Sequence, residues 1–101
     1  MFMFDTINKF FGKFRTIRNI DNISSMERLG RDEYKYIEGD RALRVQIEML
    51  SGTPEKVIYS RTVKNWLPPH ENEVITEEKR KEIVAKICKY FEINNISYTV
   101  K

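Results

Sequence analysis

The stretch EYKYIEGDRALRVQIEML, Glu33 to Leu50, decides the fold. In its second half Leu43, Val45, Ile47 and Met49 alternate with Arg44, Gln46 and Glu48. A strict period of two puts the apolar set on one face of a β-strand and the polar set on the other. Upstream, Tyr34 and Tyr36 alternate with Glu33 and Lys35, and Gly39-Asp40 separates the two runs. Such a pair between alternating segments marks the tight turn of an antiparallel hairpin. The Arg44, Gln46, Glu48 face is expected to be wet, and Val45 to lie in the core.

Downstream, Ser51-Gly52-Thr53-Pro54 is a second turn, and EKVIYSRTV, rich in β-branched and aromatic residues, predicts a third strand. Residues 33–63 then form a three-strand meander. The connection SRTVKNWLPPHENEVITEE, Ser60 to Glu78, holds the only tryptophan, the only histidine and two of the three prolines. Pro68-Pro69 stiffens this path and keeps Leu67 out of the α region. Thr76 offers an N-cap, with Glu77 and Glu78 in the first turn where the helix dipole favours acids. Ile83, Val84, Ile87, Cys88 and Phe91 share an arc of roughly 140° on a helical wheel, which predicts a helix over 76–94 lying on a sheet. Asn94-Asn95 ends it, and ISYTV reads as a closing strand at 96–100.

Upstream of the hairpin, Phe4, Ile7, Phe10, Phe11, Phe14 and Ile17 also fall within roughly 140°, which predicts an amphipathic helix over residues 1–18 that docks on the core. Asn19 to Arg31 reads as a polar connection. The expected architecture is α+β, one domain over 1–101, with helices packed on a mostly antiparallel sheet in the order α-β-β-β-α-β.

Composition agrees with an ordered protein: 41% hydrophobic, 33% charged, four glycines and three prolines in 101 residues. One cysteine excludes an internal disulfide and fits a reducing cytoplasm. No apolar run reaches the ~18 residues of a membrane span, and the N-terminal stretch lacks an uninterrupted apolar core or a signal cleavage site. A soluble cytoplasmic protein without membrane insertion is expected. The net charge of +3 lies wholly in the first 31 residues, with six basic and three acidic side chains; the remainder carries twelve of each.

No catalytic constellation is legible. Cys88 falls on the apolar arc of the helix with no base beside it, which predicts a buried, inert thiol. A lone His70 without cysteines or further histidines makes no metal site. Glu77 and Glu78 already serve a helix terminus, Glu71 and Glu73 form no matched acid-base pair, and a glycine-rich phosphate loop is absent. The expectation is a non-enzyme with no cofactor, no metal and no small-molecule substrate. Binding is carried instead by two surfaces. One is the wet strand face with Arg44, Gln46 and Glu48. The other is the connection with Trp66, His70 and Glu71, where an aromatic ring beside a rigid proline pair has the makeup of a protein-binding hot spot. Trp66 also suits a lid sealing the end of the core. The basic N-terminal third leaves a small nucleic-acid-binding or regulatory module as the alternative. Against nucleic acid, its phenylalanines are assigned to the core, and Tyr34, Tyr36 and Tyr59 read as cross-strand partners, not stacking platforms.

The series YKYIEGDRALRVQIEMLSG, then VIYSRTVKNW-x-PP, then an acid-capped helix and a closing strand resembles small immunity proteins of bacterial polymorphic toxin systems of the contact-dependent inhibition type. The likeness spans residues 33–100. It implies a cytoplasmic protein that binds one cognate toxin domain and blocks it without chemistry of its own. Immunity proteins that plug nuclease active sites are often acidic, whereas this chain is basic. The resemblance therefore implies a toxin that is not a nuclease, a local acidic patch, or inhibition away from the active site.

Overall fold

The structure, a computed structural model, describes residues 17–101. Six strands form one mixed sheet: β1 (Ile17–Asn19), β2 (Ser24–Arg28), β3 (Glu33–Glu38), β4 (Arg41–Met49), β5 (Lys56–Ile58) and β6 (Tyr98–Val100), in spatial order β1-β2-β3-β4-β5-β6. All neighbours are antiparallel except β5 and β6, which run parallel. Parallel neighbours cannot be joined by a tight turn and need a long crossover, usually helical. Here the crossover holds a 3-10 turn (Ser60–Thr62), the proline connection and the helix α1 (Glu77–Ile93).

The helix packs on one face of the sheet. Met26, Tyr36 and Leu43 lie side by side across β2, β3 and β4, and Tyr34 opposes Val45 while Ile47 opposes Ile58. These side chains meet Ile83, Ile87 and Phe91 of α1, each fully buried. Phe91 stands edge-on to Tyr34 with ring centroids 5.8 Å apart. Thr76 caps α1 by accepting a hydrogen bond from the Lys79 amide at 3.1 Å, and Asn95, with φ of 57°, turns the chain out of the helix. Gly39, with φ of 60°, makes the β3–β4 turn.

The expected order α-β-β-β-α-β is overturned. Among the described residues there is one α-helix, near the C-terminus, and the stretch expected to be a polar connection forms the β1–β2 hairpin. The reason lies in β2, SSMER, whose inward positions are Ser24 and Met26. An inward serine hides the alternation, yet its hydroxyl is satisfied: Lys86 Nζ donates to it at 2.9 Å and Tyr36 Oη lies 3.3 Å away. The hairpin loop is held by Asp21, whose Oδ1 accepts from the Ile23 and Ser24 amides at 3.0 and 2.7 Å. The third strand is also shorter than expected. EKVIYSRTV keeps only Lys56–Ile58 extended, because the Thr62 hydroxyl donates to the Tyr59 carbonyl at 2.6 Å and closes a 3-10 turn. The amphipathic helix expected over 1–18 lies outside the described residues, apart from Ile17 and Arg18, which belong to β1.

Candidate partner-binding surface

The β4 alternation places Arg44 and Gln46 on the face turned away from α1, both exposed, while Leu43, Val45 and Ile47 are buried. Beside them the β2–β3 turn folds against β4: the Asp32 carbonyl accepts from the Ile47 amide at 3.2 Å and its Oδ1 from the Met49 amide at 2.9 Å. On the other flank the 3-10 turn is fastened by the Gln46 amide, which donates to Thr62 Oγ1 at 3.0 Å. A cleft of about 510 Å³ results, lined by Arg31, Asp32, Glu33, Arg44, Gln46 and Thr62 among others. Arg44 Nη1 lies 3.4 Å from Glu33 Oε2, and Arg31 Nε lies 3.9 Å from Asp32 Oδ1. The cleft is therefore charge-balanced, and its exposed ion pairs are cheap to re-partner, since such pairs are worth about 0–1 kcal/mol. Glu48, the third residue of the row, is half-buried and accepts from the Tyr59 hydroxyl at 2.6 Å; that bond makes the phenol harder to ionise than usual.

The connection is organised differently. Trp66 is 5% exposed and belongs to the core cluster, so its ring seals the sheet and does not offer a face to a partner. The Leu67 amide donates to the Ala42 carbonyl at 2.7 Å, which ties the connection to β4. Around the β3–β4 turn, Arg41 donates to both oxygens of Glu73 at 2.6 and 3.0 Å, and His70 Nδ1 lies 3.0 Å from Glu73 Oε2. His70 Nε2 also lies 3.6 Å from Asp40 Oδ2. The Arg41 guanidinium, helped by His70, holds the Glu73 carboxyl below the usual carboxylate range. Glu71 is exposed, and Val74 next to this clamp is 84% exposed.

The six residues expected at the interface thus separate. Arg44 and Gln46 share a cleft, with Glu48 further along the same row; His70 and Glu71 sit at the hairpin tip; Trp66 is interior. Sequence reasoning missed Arg31, Asp32 and Thr62. A Gly-Arg-Asp turn marks the first two as a loop, but nothing local shows that this loop and the residues after β5 flank the same strand.

Cys88 is half-buried, packed against the core, and burial pushes its thiol up despite a hydrogen bond with Tyr98. Among the described residues no three His, Cys, Asp or Glu side chains converge in a way that could hold a metal ion. No helix among them is long and apolar enough to cross a membrane. The β4 face presents paired donors and acceptors of both signs, Arg44 with Glu33 and Arg31 with Asp32.

No curated protein and no solved structure matches the chain. The family model for Immunity protein 74 matches residues 28–101, which take in β3 to β6, α1 and every candidate residue; the chain belongs to this immunity protein family of toxin systems.

Proposed function

We propose that this protein neutralises one cognate bacterial toxin domain in the cytoplasm by binding it, without catalysis, and that the exposed face of β4 around Arg44 and Gln46 carries the main contact. The observation behind this reading is the charge-balanced cleft on the β4 face, with both ion pairs exposed. A sheet surface of this kind recognises a partner at low ordering cost, because its backbone is already fixed by neighbouring strands. His70 and Glu71, presented by the clamped connection, form a second contact region. Trp66 is left to the core.

The nucleic-acid alternative has less to stand on. The full chain carries eighteen basic and fifteen acidic side chains, a net +3 that is small beside the run of cations phosphate binding requires. The test is to co-express the chain with a toxin domain encoded by a neighbouring gene, and to measure both rescue of growth and complex formation by the purified proteins. Rescue together with a stoichiometric complex supports the reading. Rescue without any complex would point to an enzymatic or regulatory antidote.

A further inference from the structure

A second cleft of about 500 Å³ is lined by residues of the 3-10 turn, of α1 and of the end of β6. The turn contributes to both: Thr62 lines the first, Ser60 and Arg61 the second. The floor of the second cleft is apolar, made by Val84, Ala85 and Val100, of which Val100 is 42% exposed. Its rim is cationic. Arg80 is paired with Glu77, which cancels one charge of each sign, and this leaves Arg61 and Lys81 in surplus. Lys81 is exposed and has no ion-pair partner among the described residues. The Arg61 guanidinium carbon lies 5.8 Å from the centroid of the Tyr59 ring, a long cation–π contact. The turn itself is anchored: the Ser60 amide and hydroxyl both donate to the Lys101 carbonyl, at 2.9 and 2.8 Å.

We infer that the two clefts form one continuous docking surface with the 3-10 turn as its ridge, and that the second cleft receives an acidic segment of the toxin carrying an apolar side chain. The charge complementarity is specific to this half: the Arg44 cleft is balanced, whereas the second has two cations without an ion-pair partner among the described residues, above an apolar floor. That combination fits a carboxylate flanked by a hydrophobic residue. A nucleic-acid backbone would call for a longer run of cations and no carboxylate among them. The inference rests on the toxin-binding reading and adds to it the chemistry of the partner's surface.

The test uses the full chain and a toxin domain, encoded by a neighbouring gene, that the chain neutralises in the co-expression assay. Arg61→Glu and Lys81→Glu, separately and together, and Ala85→Glu on the cleft floor are compared with Lys89→Glu, an exposed lysine of the same helix outside the cleft. Titration calorimetry at two salt concentrations is expected to show tenfold or greater weakening for the double variant, largest at low salt, and no change for Lys89→Glu. Carbodiimide cross-linking of the wild-type complex is expected to join Lys81 to an Asp or Glu of the toxin. If wild type forms no complex, the toxin-binding reading falls and this inference with it. If wild type binds but the cleft variants bind equally well and Lys81 is not cross-linked, the reading stands and the inference is overturned. Displacement of the toxin from this cleft by a random-sequence oligonucleotide would also overturn it, in favour of a nucleic-acid ligand.

Discussion

Arg44→Glu is expected to separate recognition from stability when it is paired with a charge exchange. Arg44 Nη1 lies 3.4 Å from Glu33 Oε2, with the two side chains 61% and 46% exposed. At that distance in water two unit charges interact by about 1.2 kcal/mol before screening. Side-chain entropy and salt reduce the net worth of an exposed pair to about 0–1 kcal/mol. Reversing the arginine replaces attraction by a repulsion of similar size, so Arg44→Glu costs at most about 2 kcal/mol. Each kcal/mol is a fall in melting temperature of about 4–8 °C for a 60–100-residue domain. The double variant Arg44→Glu, Glu33→Lys restores an attractive pair of opposite sense and should recover most of the loss. Toxin binding should behave otherwise. A partner that reads a positive charge at position 44 loses tenfold or more in affinity, about 1.4 kcal/mol, with the single variant, and the exchange does not restore it. Thermal melts and titration calorimetry on the three proteins measure both quantities. If affinity recovers together with melting temperature in the double variant, Arg44 acts only through the fold and the proposed interface is wrong.

Further predictions concern the fold and its titrating groups. Val45→Asp places a charge at a position that is 1% exposed, opposite buried Tyr34, and is expected to abolish cooperative melting; a soluble variant with a sharp transition would show that burial there is not essential. Cys88 should react slowly with a thiol reagent in the folded protein and fast after denaturation, since burial raises its pKa; equal rates would refute this. Burial alone would raise the Glu38 carboxyl, but hydrogen bonds from Lys79 at 2.6 Å and Tyr36 at 2.6 Å outweigh it and leave the group below its ordinary value of 4.5. A depressed carboxyl contributes stability that is complete above the unfolded value and is lost as pH falls through the folded one. Denaturant midpoints should therefore drop below pH 4.5, and Glu38→Gln should be less stable at neutral pH with a shallower acid loss; an unchanged acid profile would remove Glu38 from the account.

What could be read from the residues alone depended on whether local pattern and tertiary environment agreed. In β4 they agree, with Leu43, Val45 and Ile47 inward and Arg44 and Gln46 outward, and the same holds for Gly39 in its turn and Thr76 at the head of α1. In β2 they conflict, because Ser24 points inward into a polar network that includes Lys86 and Tyr36, partners 62 and 12 residues away. No local period could reveal that network. At Thr62 a side-chain hydrogen bond to Tyr59 overrode the β propensity of its neighbours. The candidate surface divides along the same line. Arg44 and Gln46 were legible from alternation, whereas Arg31, Asp32 and Thr62 join them only through contacts between elements distant in sequence. Trp66 was legible as important, but its ring went to the core.

The concentration of rare residues between β5 and α1 follows from topology. Because β6 runs parallel to β5, the chain must leave one end of the sheet and return along its face before pairing again. That path passes the open end of the core, which Trp66 and Val63 fill, at 5% and 0% exposure. It then has to be pinned against β4, which Leu67 does through Ala42, and against the β3–β4 turn, which Arg41, His70 and Glu73 do together. Trp66 and His70 thus each have a structural place in that route. The same crossover sets the 3-10 turn on the sheet end and lays α1 beside β6, which creates the two clefts as a by-product of making β6 parallel. A partner that grips the ridge between them would contact both ends of the crossover and slow the opening of the sheet. Toxin binding should then raise hydrogen-exchange protection of the β5 and β6 amides more than those of β1 and β2; uniform protection across the sheet would show that the partner sits elsewhere.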